Sequence, residues 1–188
     1  MRADARRNYE RLLTEAKVAF EKDGIHTSLD DIARQAGLGN ATLYRHFPTR
    51  ESLLETLLRD SLKELGSTAD ALMASQPPGL AVATWVRAAV AHATTYRGLV
   101  NLLMDSLKDQ ASELHNACTS MQSSGAQLLA RAQQAGEVRG DITAGHLFTL
   151  IASTAWATEH APEEAPQVLT VVIDGLRPPR ESAGARSR

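Results

Sequence analysis

The sequence has one cysteine in 188 residues, no apolar run approaching 18 residues, and a formal net charge of only −2 at pH 7. The lone thiol, Cys118, excludes an intrachain disulfide and any zinc site built on cysteine pairs, and it reads as a core residue. Without a long apolar run there is no membrane-spanning helix to expect. Met1 to Arg11 leads into an amphipathic segment rather than the hydrophobic stretch of a secretory signal, so a cytoplasmic protein without a membrane partner is expected. Glycine-rich phosphate loops and nucleophile elbows are missing. Glu113 with His115, and Glu159 with His160, each put a carboxylate near an imidazole. Neither pair has the His-x-x-x-His spacing that brings two metal ligands to one helical face. No catalytic residue, metal or cofactor is expected, and the chain is not read as an enzyme.

The small net charge hides an asymmetry. Residues 1–50 carry nine Lys/Arg against seven Asp/Glu, whereas residues 51–188 carry eleven against fifteen. The first segment is thus net basic, and Arg2, Arg6, Arg7 and Arg11 open it; such a start suits a DNA backbone or a solvated helix end equally.

Apolar residues recur at helical spacing along almost the whole chain, which predicts an all-α fold of about nine helices. Leu12, Leu13, Ala16, Ala19 and Phe20 form the buried stripe of a first helix, from about Ala3 to Lys22. Leu53, Leu54, Leu57, Leu58, Leu62, Leu65, Ala69 and Leu72 hold one face of a long helix that runs from a Thr49 cap to Pro77-Pro78. Further stripes follow over Val82–Ala93, Leu99–Leu107 and Leu114–Ala132. Thr143 caps a helix containing Leu147, Phe148, Ile151, Ala155 and Trp156. The run Val168 to Leu176 is rich in β-branched residues, but its all-helical context predicts a helix from about Glu164. The tail beyond Pro178-Pro179 is expected to be disordered.

The segment from Thr27 to Leu53 departs from this long-helix pattern. Ser28 precedes an acidic first turn, Leu29-Asp30-Asp31, so its hydroxyl can accept an orphan backbone N–H at a helix start. Gly37 fits a left-handed helix stop with Leu38 just after it. Gly39 starts a second short helix, anchored by Leu43 and Phe47, and Pro48 ends it. Two short helices joined by a glycine turn present the second to a surface. Its outward residues, Asn40, Ala41, Thr42, Tyr44, Arg45 and His46, are rich in hydrogen-bond donors and include no carboxylate, which suits phosphates and base edges.

Residues 6–55 resemble the DNA-binding domain of the TetR family of bacterial transcriptional regulators. The resemblance rests on Leu12-Leu13, Ala16 and Phe20 in the first helix, Thr27-Ser28 and Asp31-Ile32-Ala33 in the second, and Thr42-Leu43-Tyr44 with His46-Phe47 in the third. It implies an N-terminal three-helix helix-turn-helix domain over residues 1–48 and a helical ligand-binding and dimerisation domain over 49–178, with 179–188 as the tail. It also implies that Asn40, Ala41 and Thr42 lie in the major groove; because Ala41 has only a methyl to offer, base specificity is left to Asn40, Thr42 and Arg45. Tyr44, His46 and Arg50 would grip phosphates, with Thr27 and Ser28 at the DNA backbone. The family often has serine where Gly39 stands and glycine where Ala41 stands.

The resemblance further implies an effector pocket in the helices between about Leu80 and Met121. Trp85, His92, Tyr96, Met104, His115, Cys118 and Met121 are its candidate lining, and its ligand would be an apolar or amphipathic small molecule. It implies a dimer through the last two helices, with Phe148, Ala152, Ala155, Trp156, Leu169, Val172 and Ile173 as candidate interface residues. Pairing doubles the contacts of a short recognition helix on a palindromic operator. The expected function is a homodimeric regulator, a repressor, that binds operator DNA and is released by the small molecule. The alternative is a regulator without such an effector, controlled by a protein partner or by its own concentration.

Overall fold

The helical periodicity of the sequence becomes eight helices among the residues that the computed structural model describes, 3–23, 27–96 and 108–179. They are α1 (Ala3–Asp23), α2 (Leu29–Gln35), α3 (Asn40–His46), α4 (Arg50–Ser75), α5 (Pro78–Thr95), α6 (Glu113–Gln134), α7 (Ala144–His160) and α8 (Ala165–Gly175). The helix expected over Leu99–Leu107, the candidate pocket residue Met104 and the tail from Arg180 lie outside the described residues. No helix among the described residues is long and apolar enough to cross a membrane.

The described residues form two compact units, one within 1–64 and 92–121 and the other within 65–91 and 122–188. The first has a core built from Leu12, Ala16 and Phe20 of α1, Ile32 and Ala33 of α2, Leu43 of α3, Phe47, the first leucines of α4, and Leu114. Two-turn helices such as α2 and α3 do not persist alone in water. They persist here because Ile32 and Leu43 are wholly buried against α1 and α4 residues of that core.

The second unit is centred on Trp85, whose side chain has no exposed surface. Its indole Nε1 donates to the Leu65 carbonyl at 3.0 Å, and its ring meets that of Phe148 edge-on at 6.0 Å. Burying about 200 Å² of indole at ~25 cal/mol per Å² is worth about 5 kcal/mol, and the N–H bond removes the desolvation cost of the polar end. Gly125 of α6 makes room for it.

Reciprocal bonds start α7: Thr143 Oγ1 accepts from the His146 N–H at 3.1 Å, and His146 Nδ1 accepts from the Thr143 N–H at 3.3 Å. The β-branched run at the end is helical, as expected from context. Pro166 in the first turn of α8 is preset for a helix start, the Val168 N–H donates to the Glu164 carbonyl, and Ile173 and Leu176 are buried.

Candidate DNA-binding site

Local chemistry sets the angle between α2 and α3. Ser28 is extended, and its Oγ accepts from the Asp31 N–H at 3.4 Å, which starts α2. At the other end Gly37 has φ of +65°, its N–H donating to Arg34 O at 3.0 Å while the Leu38 N–H donates to Ala33 O at 2.9 Å. These two bonds satisfy the last carbonyls of α2 and turn the chain sharply, with Leu38 packed on the core. Gly39 then starts α3 with no side chain to cap it. Thr49 Oγ1 accepts from the Ser52 N–H at 3.1 Å at the start of α4, as the cap pattern predicted.

The outward side of α3 carries Ala41, Tyr44 and Arg45, all exposed, with Thr42 and His46 half-buried. Asn40 is exposed as well, and its Nδ2 donates to Asp30 Oδ1 of α2 at 2.7 Å. His46 is held by an aromatic stack: its ring meets the edge of Tyr9 at 5.9 Å, and Tyr9 stacks on Phe47 at 5.2 Å. Tyr9 escaped the sequence reading, although it stands one helical turn before Leu12 and Leu13 on α1. Ser28 is exposed at the start of α2.

Thr27 and Arg50 sit differently from the others. Thr27 is buried, its hydroxyl donating to the Ala19 carbonyl at 3.1 Å. Arg50 Nη1 donates to the Thr27 carbonyl at 2.6 Å, and its guanidinium lies 5.4 Å from the centre of the Phe20 ring. The two residues therefore form a bracket that ties the end of α1, the approach to α2 and the start of α4. Of the basic start, Arg6 pairs with Glu10 and Arg7 with Asp4, both at exposed positions where such pairs contribute little.

The candidate pocket residues fall into both units. Trp85 is the central core residue of the second unit, whereas His92, Tyr96, His115, Cys118 and Met121 belong to the first. The His92 and Tyr96 rings lie 4.9 Å apart. His92 Nε2 is buried and has no hydrogen-bond partner among the described residues. Burial lowers the His92 pKa to about 4, with Glu64 opposing the shift and Lys17 adding to it, so the imidazole is neutral near pH 7. Tyr96, Lys17, Glu64, Leu13 and Leu57 help to line a crevice of about 180 Å³ in the same unit. Burial pushes the Cys118 thiol up, which disfavours the reactive thiolate. A larger cleft of about 930 Å³ in the second unit runs from Gly79 and Leu80 to Arg139 and Leu176. There the Glu137 carboxylate accepts from the Gly79 N–H at 2.7 Å.

Of the candidate dimer residues, Ala155 and Ile173 are buried within the second unit, and Phe148 packs on Trp85. Leu169 and Val172 are half-buried, and Ala152 is exposed. Trp156 is 60% exposed and stacks on His160 at 4.1 Å. Together with Ala152, Ser153 and the 60% exposed Val171, it leaves a small-residue and apolar surface on α7 and α8.

Similarity to known proteins agrees with this architecture. The family described as bacterial regulatory proteins, tetR family, matches residues 12–57, and the C-terminal domain described as transcriptional regulator SbtR-like matches 77–178. A TetR transcriptional regulator from Streptomyces coelicolor, SCO0520, is 32% identical, with a TM-score of 0.73 over 90% of this chain and 98% of its own. A TetR regulatory protein from Mycobacterium vanbaalenii is 33% identical, with a TM-score of 0.69 over 94% and 99%. The HTH-type transcriptional repressor KstR2 of Rhodococcus jostii is 27% identical over 89% of this chain and 90% of its own. A helix-turn-helix head and a helical second part define a DNA-binding transcriptional regulator, and the chain belongs to the TetR family. Its C-terminal part is of the SbtR-like kind.

Proposed function

We propose that the protein is a homodimeric repressor that binds a palindromic operator through α3 and leaves it when a small molecule enters the helical part of the chain. The observation that carries the DNA side is the outward face of α3, where Asn40, Thr42, Tyr44 and Arg45 stand without a carboxylate among them. Asn40, Thr42 and Arg45 are proposed to read base edges, Ala41 to meet a thymine methyl, and Tyr44 and His46 to bond phosphates. Ser28, exposed at the start of α2, is proposed to meet a further phosphate with its hydroxyl. Arg50 and Thr27 support the same backbone contact by fixing where α2 begins.

Dimerisation is supported by the unpaired surface of α7 and α8 around Ala152, Trp156 and Val171. A ligand is supported by the buried Nε2 of the neutral His92, which no described residue bonds: such a nitrogen costs free energy until a polar group meets it. The ligand class is an apolar body with one hydrogen-bonding group, and release follows if it prefers the conformer that does not fit DNA. The repressor sense follows the Rhodococcus relative, which is named a transcriptional repressor. A thermal-shift screen of apolar compounds tests the ligand: a binder should raise the melting temperature of the wild type and do so less in His92→Leu. A screen without a binder, or binders blind to His92→Leu, contradicts it.

A further inference from the structure

The geometry points to Asp30 as the residue that orients Asn40 for base reading, so that a carboxylate on α2 sets part of the DNA specificity delivered by α3. The inference rests on the reading that α3 faces base edges, and it concerns a residue that itself touches no base in that reading. Asn40 is the first residue of α3 and stands exposed, where an unsupported amide would rotate freely and present either its oxygen or its nitrogen outward. It is supported: Nδ2 donates to Asp30 Oδ1 at 2.7 Å, across the glycine turn between the two helices.

A carboxylate only accepts hydrogen bonds, so only the NH₂ end of the amide can face it. This removes the two-fold ambiguity of the side chain. With the N–H trans to the carbonyl oxygen spent on Asp30, the oxygen and the second N–H remain as an acceptor and a donor side by side. In the major groove adenine offers the matching pair, an N6 amino donor next to an N7 acceptor, while guanine places two acceptors there. The orientation imposed by Asp30 thus favours adenine at the base pair that Asn40 meets. Asp31 is not a substitute, because it is paired with Arg34. Asp30 also brings a negative charge towards a polyanion, which weakens binding to every sequence alike. A residue that costs affinity and adds discrimination leaves a signature that a merely helix-starting aspartate does not.

The test is selection and sequencing from a pool of randomised duplex DNA, carried out with the full chain as wild type, Asn40→Ala, Asp30→Ala and Asp30→Asn. The wild type should enrich a two-fold symmetric motif, and Asn40→Ala should flatten one adenine position in each half-site by about tenfold. Asp30→Ala should flatten the same position by a similar factor while binding unrelated duplexes more tightly. Asp30→Asn removes the charge but can donate as well as accept, so the Asn40 amide can face it by either end; it should weaken the adenine preference and also bind unrelated duplexes more tightly. The inference is overturned if Asp30→Ala retains the preference that Asn40→Ala loses. A wild type that enriches no motif defeats instead the underlying reading of α3.

Discussion

Gly125 and Trp85 are matched atom against atom. A Cβ on residue 125 would stand 2.4 Å from Trp85 Cη2 and 2.9 Å from two more ring carbons, well inside van der Waals contact with a ring that has no exposed face to retreat to. Gly125→Ala should therefore cost about 2 kcal/mol, read as a fall in melting temperature of roughly 5 °C. An unchanged melting temperature would show that the indole can move aside. His92 makes a prediction of a different kind. Its pKa falls from 6.5 to about 4 on folding, chiefly through burial, so between those values the unfolded chain binds a proton that the folded chain refuses. Stability from this residue is full above pH 6.5 and is lost as pH falls towards 4, by on the order of 3 kcal/mol. Urea titrations should show the decline in the wild type and a flatter profile in His92→Leu; parallel profiles would assign the acid sensitivity elsewhere.

The short elements depend on their ends. α3 begins at Gly39, whose extended backbone is ready for a capping side chain, and nothing lies within 4 Å of a Cβ placed there. Gly39→Ser should add a few tenths of a kcal/mol by capping α3 and supply one more phosphate donor, which urea titration and DNA affinity would register together. A loss of stability would mean that the cap geometry is wrong. Such ends were the most legible feature of the sequence. Ser28, Gly37, Pro48, Thr49 and Thr143 announced helix limits that the structure shows within a residue, because capping is local chemistry between neighbours. What escaped was the partner across space. Periodicity tells which face of a helix is apolar but not what covers it, and Trp85 and His92, both on α5, fall in different units. The Asn40 to Asp30 bond and the Arg50 to Thr27 bracket were invisible for the same reason, since each joins residues ten or more positions apart.

At the scale of the whole molecule, the proposed function requires two copies and a charged partner. The exposed surface of Trp156, Ala152 and Val171 is the proposed pairing face. A charge on this face, as in Ala152→Glu, should give a folded monomer by sedimentation, with operator affinity reduced at least tenfold because each half-site is then held alone. A variant that still sediments as a dimer would move the interface elsewhere. Whether this chain reads DNA is decided by the affinity of the purified protein for the DNA upstream of its own gene, measured against salt concentration. Sequence-selective binding is expected, the logarithm of the binding constant falling linearly with the logarithm of salt with a slope of about −0.9 per phosphate neutralised. Binding that is absent at low salt, or present but indifferent to salt, would contradict it.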